Sequence, residues 1–491
     1  MVCNLFEKRE RGFCSVDLKT MQKLVTNAQT SRAEFIRDYE QNIRYYKNQN
    51  DITSRNHGES KTTAHGKSDG LRQADNRISS NFYQVLVDQE AGYLTTVAPK
   101  IDVGSDKEND KVNEALGDDF SLVLHDLLVD TACAGRGWLH YWVDKDGEFK
   151  FTVIPPTQVV PIYDSDVSGE LKGLLRSYQQ LDSETGKTVK VHEYWDSKKA
   201  YMFKEVSTNP LKLERFQVVH NFDATAGYET GTSDEYRHGL GRIPFISFSK
   251  NKFSLPELRK VKGLIDAYDA VYNGFLNDLM DVQQVVLVLK NYGGASLKEF
   301  MHDLKENKAI KFNQVGTGDA SGVDTLQIDI PVAAREKMLE LTKNNIFLQG
   351  QGIDPANFKD SNASGVAIKM LYSHLELKAS QTETNFRPSI SKLVRAIMQA
   401  QGFKDAETRT ITQTWTRTQV EDNLTKAQTV ATVANFTSRA AVAKNNPLVD
   451  DWQQELIDEQ NDKNALDPYG TDYDEPFEVE QVEPDDGLKH E

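Results

Sequence analysis

Four aspartates on one predicted helix have the chemistry and spacing that could suggest a metal site. Carboxylate oxygens are the ligands that divalent cations such as Ca²⁺ and Mg²⁺ prefer in proteins. The four residues are Asp266, Asp269, Asp278 and Asp281. They occupy the polar positions of a helix whose apolar positions form a regular seam, which is typical of a solvated face. We therefore predict an acidic face and no bound metal ion.

Two further patterns begin like metal motifs and then depart from them. His192-Glu193 resembles the start of a zinc-protease helix, but Asp196 stands where the second histidine is required, and the segment alternates like a strand. Asp144 and Asp146 begin like a calcium loop, but Pro155 occupies the twelfth position, where the closing glutamate belongs. The first segment predicts a strand and the second predicts a hairpin turn.

No pattern in the sequence predicts nucleotide binding or covalent catalysis. The phosphate-binding pattern GxxxxGK[ST] is missing, and the glycines that follow Gly316 are spaced one residue too far apart for GxGxxG. No GxSxG elbow and no Cys–His signature occurs. The cysteines Cys3, Cys14 and Cys133 are scattered without a CxxC pair, which predicts free thiols. We predict no catalytic residue, no cofactor and no enzymatic activity.

The chain is acidic, with a formal net charge of −16. Residues 466–491 contain ten acidic residues and one lysine, a composition that predicts a disordered tail. Tight binding to the DNA backbone requires clustered Lys and Arg, because affinity comes from the release of counterions. The sequence shows no wide basic face, which argues against a protein that clamps DNA. It also contains no apolar run long enough to span a membrane.

The first half of the chain predicts helices followed by an antiparallel β region. Helical periodicity runs over 18–48, 77–96 and 108–131, with a polar loop at 49–75. Between Gly137 and Phe248, short stretches rich in aromatic and β-branched residues alternate with turns. The pattern indicates an α+β protein.

The second half contains long helices around a small insertion. Apolar residues spaced three and four apart predict a heptad seam at 255–283 that packs against a neighbouring subunit; they are Leu258, Val261, Ile265, Tyr268, Tyr272, Phe275 and Leu279. Gly263 and Gly274 lie eleven residues apart, and they indicate either the close approach of another helix or two tolerated glycines. A short α/β pattern fills 284–330.

A second long helix is predicted at 331–349, followed by a polar loop at 350–364 and a third long helix at 365–401. Pro388 lies inside the third helix and is expected to kink it. Further helical periodicity follows at about 418–460.

Three groups of short motifs occur in order between residues 76 and 400. The first contains Asn76-Arg77-Ile78, Asn81-Phe82-Tyr83, Leu86-Val87-Asp88-Gln89, Ala91-Gly92-Tyr93-Leu94 and Pro99. The second contains residues 238–245 (HGLGRIPF), 264–269 (LIDAYD), Asn277 and Asp278. The third contains residues 350–354 (GQGID), 364–369 (SGVAIK) and 375–379 (LELKA). The ordered set resembles the portal proteins of siphophages that infect Gram-positive bacteria.

The resemblance implies a multidomain α+β portal fold with long stem helices, an α/β clip insertion, a β-rich wing and a helical crown. It assigns 1–254 to the N-terminal arm and wing, 255–283 to the first stem helix and 284–330 to the clip. The second stem helix is 331–349, and the tunnel loop is 350–364. The kinked helix at 365–401 connects the wing to the crown at 402–465, and the acidic tail follows at 466–491.

The same resemblance implies a homo-oligomeric ring, expected to be a dodecamer, at the portal vertex of the virion. Double-stranded DNA would pass through its channel during packaging and ejection. Its expected partners are the terminase large subunit, a head-tail adaptor, and the major capsid and scaffolding proteins, with assembly in the host cytoplasm. The tunnel-loop residues expected to face DNA are Asp354, Asn357, Lys359, Asp360 and Asn362.

Three alternatives make different predictions. An enzyme with an unfamiliar site requires a pocket with converging titratable groups. A monomeric nucleic-acid-associated assembly protein requires a basic face with interleaved aromatic residues. Another non-enzymatic head-tail connector of the phage would be a shorter chain without two long helices that flank an insertion. Lys359 itself is consistent with a transient phosphate contact or with an ordinary surface lysine.

Overall fold

The computed structural model describes residues 16–54, 74–144, 146–164, 169–181, 186–208, 210–216, 219–223, 228–233, 235–282, 286–290, 296, 322–326, 330–358, 365–418, 423–446, 449 and 454–460. The chain divides into two compact units. The first comprises Met1–Asn362 and Lys369–Thr418, and the second comprises Ala363–Ile368 and Gln419–Glu491. Most of the predicted clip, the acidic tail, and Lys359, Asp360 and Asn362 lie outside the described residues.

The N-terminal half of the first unit begins with helices that are shorter than the sequence predicts. They are α1 (Leu18–Ser31), α2 (Ala33–Tyr46), α3 (Asp51–Ser54), α4 (Phe82–Thr95), α5 (Asp106–Leu116) and α6 (Phe120–Ala134). The single helix predicted over 18–48 is interrupted at Arg32, whose guanidinium donates a hydrogen bond to the Pro156 carbonyl at 2.9 Å. The helix predicted over 108–131 breaks at Gly117, where φ is +72°, because glycine adopts a positive φ without strain.

The region predicted to be antiparallel forms antiparallel strands. They are β1 (Lys100–Asp102), β2 (Arg136–Val143), β3 (Phe149–Ile154), β4 (Val159–Tyr163), β5 (Leu171–Leu181), β6 (Thr188–Trp195), β7 (Lys199–Thr208), β8 (Leu211–Arg215), β9 (Val219–Asp223), β10 (Tyr228–Ser233), β11 (Glu235–Arg237) and β12 (Phe245–Ser249). One sheet has the order β12-β2-β3, and a larger one has the order β11-β7-β6-β5-β4 with β8 beside β7.

Long helices dominate the second half. They are α7 (Leu258–Val282), α8 (Val332–Gly350) and α9 (Gly365–Ala400), followed by α10 (Asn423–Val433) and α11 (Arg439–Asn445). Between α7 and α8, β13 (Val286–Lys290) pairs antiparallel with β14 (Gly322–Leu326), and β15 (Thr412–Thr414) pairs with β1. Helix α9 continues through Pro388.

The apolar core of the first unit comprises four clusters of buried residues, and two of them involve the long helices. One packs α4, α5 and α6 against β2, β3 and the C-terminal two thirds of α9, around residues such as Phe248 and Phe386. The other brings α2, α4 and α6 against the first half of α7 and the end of α8, around Tyr83, Ile265 and Ile346. Helix α4 contributes to both of these clusters, so it links the β region to the long helices. Within the described ranges, no helix is long and apolar enough to cross a membrane.

Gly135 ends α6 and lies against the loop that precedes α7. We expect Gly135→Ala to lower the melting temperature far more than Gly117→Ala. Gly135 is in the left-handed helical conformation, and Gly117 combines a positive φ with a ψ of 171°. Alanine is strained in both conformations, at a cost of roughly 1–3 kcal/mol. A Cβ at Gly135 would also lie 2.0 Å from the Ser254 carbonyl oxygen, whereas a Cβ at Gly117 meets nothing within 4 Å. Thermal denaturation followed by circular dichroism measures the difference. Equal losses would show that the loop yields easily, contrary to this expectation.

Candidate functional site

The heptad seam of α7 is buried along its first half and exposed along its second. Leu258, Val261 and Ile265 are at most 2% exposed, inside the core of their own chain. Tyr272 and Leu279 are 37% and 42% exposed. The prediction that the whole seam packs against a neighbouring subunit is therefore wrong for its first half. That half is covered by α2, α4 and α8, which the sequence pattern alone does not distinguish from a neighbour.

Helix α8 lies antiparallel to α7. The Arg335 guanidinium pairs with Asp278 and lies 5.5 Å from the Phe275 ring, while Phe82 touches both Tyr268 and Phe347. These contacts place the start of α8 beside the end of α7. A second row of α8 points away from this contact, with Met338, Leu341 and Leu348 each about half exposed.

The polar face of α7 binds an extended segment, residues 74–80, through a ladder of side chains. The backbone amides of Ala74, Asn76, Ile78 and Ser80 donate, at 2.7–3.0 Å, to the side-chain oxygens of Asp281, Asn277, Asn273 and Asp269 in that order. Asn273 also donates to the Ile78 carbonyl at 2.8 Å. Alternate residues of the segment thus pair with every fourth residue of the helix.

Two periodicities make this ladder fit. Two residues of extended chain advance by about 6.6 Å, and four residues of helix advance by about 6.0 Å, so successive pairs stay nearly in register. The ladder satisfies backbone amides that would otherwise need a strand partner. It also explains why the helix predicted over 77–96 begins only at Phe82.

The prediction that the aspartates of α7 form a solvated acidic face is wrong for Asp269, whereas Asp266, Asp278 and Asp281 are partly exposed and bound within the chain. Asp269 is fully buried, accepts from Asn50 at 2.7 Å and from Ser80, and its pKa is raised by burial. Asp266 accepts from the Tyr45 hydroxyl and pairs with Lys262. Asp278 and Asp281 bind Arg335 and Ala74. Among the described residues no group of His, Cys, Asp or Glu is arranged to hold a metal ion.

Four buried charged side chains form a closed quartet of ion pairs at the N-terminal end of α7. Lys378 of α9 pairs with Glu90 of α4 at 3.1 Å and with Glu257, next to α7, at 2.8 Å. Lys250, which follows β12, pairs with the same two carboxylates. All four side chains are at most 7% exposed. The quartet therefore fixes α4, α9, the end of the β12 sheet and the start of α7 to one another.

The start of the polar loop at 350–364 is anchored to α4. The side-chain amide of Gln89 donates to the Ile353 carbonyl at 2.7 Å and accepts from the Ile353 amide at 2.9 Å. Cβ atoms at Gly350 and Gly352 would fall within 2.5 Å of Leu86, so both glycines permit this close approach. Two of the sequence motifs, Leu86-Val87-Asp88-Gln89 and residues 350–354, are thus in direct contact.

Asp354 belongs to this anchor. It is 7% exposed, pairs with Lys343 at 2.8 Å and accepts from the Ala356 amide. A buried and paired carboxylate does not support the DNA-facing position expected for Asp354. Asn357 lies in the short helical turn Pro355–Phe358 that follows.

The other sequence motifs have structural explanations. His192 lies on strand β6, as its alternation predicts. Asp144 closes the β2–β3 hairpin by accepting from the amides of Asp146 and Glu148. Cβ atoms at Gly263 and Gly274 would meet nothing within 4 Å, so no helix in the described part of the chain uses these glycines for close approach.

Comparison with known proteins places these features in a family. The family described as "Phage portal protein, SPP1 Gp6-like" matches residues 27–466. The portal protein of Clostridium phage phiCD119 is 35% identical over 425 residues, which cover 84% of this chain and 89% of that protein. The portal protein of Bacillus phage SPP1 is 28% identical over 478 residues, with coverage of 91% and 88%.

A solved structure titled "Neck of empty GTA particle computed with C6 symmetry" contains a similar chain at 12% identity and a TM-score of 0.40. The match covers 74% of this chain and 88% of that one.

Proposed function

The chain belongs to the SPP1 Gp6-like family of phage portal proteins, and from that membership we propose how its helices act in the ring. As a portal protein it forms the ring-shaped channel at the head vertex through which double-stranded DNA is packaged and later ejected, and it joins head to tail. It is a component of the virion. The family match over residues 27–466 carries this conclusion.

We also propose the subunit number of the ring, its lack of enzymatic activity and its partners. The ring is a dodecamer that assembles in the host cytoplasm and has no enzymatic activity of its own. During packaging it meets the terminase large subunit, and afterwards a head-tail adaptor, while the major capsid and scaffolding proteins surround it. The resemblance in motif order supports these partners. The lack of any catalytic pattern in the sequence supports a structural role.

The parts of the ring follow from the sequence assignment. In this proposal, 1–254 forms the arm and wing, α7 and α8 form the stem, 284–330 forms the clip, and 402–465 forms the crown. The long α9 connects the wing to the crown. The buried quartet supports this division, because it ties the stem, α4 and α9 together at one point.

The stem also supplies a contact between neighbouring copies. A ring closes when one face of each copy binds a different face of the next. The α7–α8 pair offers two unlike faces. One carries the exposed row of Met338, Leu341 and Leu348. The other is the outer side of α7, where Gly263 and Gly274 leave open space. The exposed seam residues Tyr272 and Leu279 extend the apolar surface.

The loop at 350–364 is proposed to project toward DNA from a fixed base. The contacts of Gln89 and Asp354 hold its first residues. The residues left to face DNA are Asn357, Lys359, Asp360 and Asn362. With one base and one acid among them, they are suited to brief contacts with a moving polyanion, since a strongly basic lining would retain it.

Imaging of the purified chain tests the assembly. We expect negative-stain electron microscopy to show rings with a central hole, and light scattering to give a mass near that of twelve chains. A closed ring with another subunit number would contradict the dodecamer, but it would still be consistent with a channel. A chain that stays monomeric over a range of concentrations and salt, alone and with its scaffolding protein, would contradict ring formation.

A further inference from the structure

A local basic ridge occurs where the β region meets α7, although the chain as a whole is acidic. Between residues 250 and 262 the sequence contains five basic residues and one acid, Glu257. Lys250 and Lys262 are used in ion pairs within the chain. The other three, Lys252, Arg259 and Lys260, are exposed. We call residues 251–260 the basic ridge.

The three exposed cations have no carboxylate within 4.0 Å among the residues that the structure describes. The ridge also exposes apolar surface, since Phe253 is 74% and Leu255 39% exposed. The Lys252 ammonium lies 5.6 Å from the Phe253 ring. Exposed aromatic and aliphatic side chains beside unpaired charges are typical of contact surfaces.

A cleft flanks the ridge on each side, and Leu255, Pro256 and Arg259 line both of them. The larger cleft, of about 660 Å³, extends toward α2 and has apolar walls that include Phe35 and Trp138. The smaller one, of about 320 Å³, is lined in part by three members of the buried quartet, Lys250, Glu257 and Lys378. A partner lying across the ridge could therefore reach into concave surface on either side.

Two arginines of the larger cleft are also without a carboxylate partner within the described ranges. Arg32 is bound to the carbonyl oxygens of Val159 and Pro156, and burial lowers its pKa to about 10. Arg136 donates to Ser254 at 3.0 Å and to Tyr163, and its Nε is buried without an acceptor. The cleft has two acids as well, Glu34 and Asp38.

We propose that the basic ridge and its flanking clefts are a docking surface for an acidic polypeptide segment that carries apolar side chains. Charge complementarity selects an acidic partner, since Lys252, Arg259 and Lys260 gain ion pairs that the described part of the chain does not provide. The nearby N-terminus of α7 adds partial positive charge. The exposed apolar side chains of Phe253 and Leu255 favour a polypeptide over DNA, because the phosphates and sugars of DNA have little apolar surface to pack against them.

Fluorescence polarisation of the assembled full-length protein tests this proposal. The probe is a short labelled peptide of alternating glutamate and leucine, and the comparison peptide has glutamine in place of glutamate. We expect the glutamate peptide to bind at least about tenfold more tightly at low salt, and the difference to shrink as salt screens the charges. Equal binding of the two peptides would reject charge recognition.

Charge reversal locates the binding site. In the triple variant Lys252→Glu/Arg259→Glu/Lys260→Glu, binding of the glutamate peptide is expected to fall by about tenfold or more. The matched control is Lys19→Glu/Lys23→Glu/Lys107→Glu, which makes the same charge change at exposed lysines of α1 and α5 and should bind like the parent. Circular dichroism establishes that both variants fold.

Three further results would overturn the proposal. Equal losses of binding in both triple variants would indicate a general charge effect. Tighter binding of a labelled DNA duplex than of the peptide, lost in the ridge variant, would identify DNA as the ligand. Loss of ring mass in the ridge variant alone, with no peptide binding by the parent, would identify a second copy of the chain as the occupant.

Discussion

Replacing Lys378 by methionine is expected to destabilise the folded chain by about 3–5 kcal/mol, the cost of leaving a buried charge without its partner. Lys378 contacts Glu90, Glu257 and the Leu86 carbonyl and is 3% exposed. Methionine fills a similar volume, so the loss reports the charge and not a cavity. Urea unfolding followed by tryptophan fluorescence measures the free-energy difference.

The electrostatics of Glu90 explain the size of this effect. Burial alone would raise the pKa of Glu90, but Lys250 and Lys378 outweigh it and hold that pKa at about 2. A carboxylate whose pKa is lower in the folded state stabilises the protein above its unfolded pKa. That stabilisation is fully present above about pH 4.5 and is lost as the pH falls toward 2. Without Lys378, the acid transition should move to higher pH.

Lys392→Met is the matched control, because Lys392 lies on the same helix and is exposed. It should leave the unfolding midpoint unchanged. The double variant Glu90→Gln/Lys378→Met should be more stable than Lys378→Met, because Lys250 would otherwise face two buried carboxylates alone and the double variant removes one of them. A Lys378→Met protein as stable as the Lys392→Met control would show that the quartet is not a significant constraint.

Local sequence patterns predicted the helices and strands well. They could not predict the candidate site, because its contacts join residues that are far apart in the chain. The seam of α7 predicted the helix, since its period is contained in the sequence itself. The quartet could not be predicted, because Glu90 and Lys378 are 288 residues apart and ordinary surface charges have the same local appearance. Only the fold brings them together.

The hydrogen-bonded ladder on α7 was not predicted, for a related reason. Asp and Asn repeated every fourth residue, as at Asp269, Asn273 and Asn277, look like a solvated helix face when the partner is unknown. The partner is a backbone, and a backbone has no signature of its own in the sequence. The signal that could have found it was the regular spacing of the short acceptors Asp269, Asn273 and Asn277 along the helix.

Placing two aspartates on the outer row of α8, in the variant Leu341→Asp/Leu348→Asp, is expected to abolish ring assembly while the single chain still folds. Both leucines are about half exposed in the single chain, so their replacement costs the chain little. Covering the exposed half of each in an interface would contribute about 1 kcal/mol, and a carboxylate buried there without a partner would cost more. Because every contact in a ring repeats the same faces, the loss occurs at each subunit boundary.

Light scattering and negative-stain microscopy measure the assembly, and circular dichroism checks the fold. The matched control is Leu122→Asp/Leu181→Asp, which changes two leucines that are 58% and 67% exposed on α6 and β5. If the control forms rings and the α8 variant stays a folded monomer, the outer row of α8 lies in the subunit contact. If both variants form rings, this row faces solvent or the channel, and the neighbouring copy must bind elsewhere on the stem.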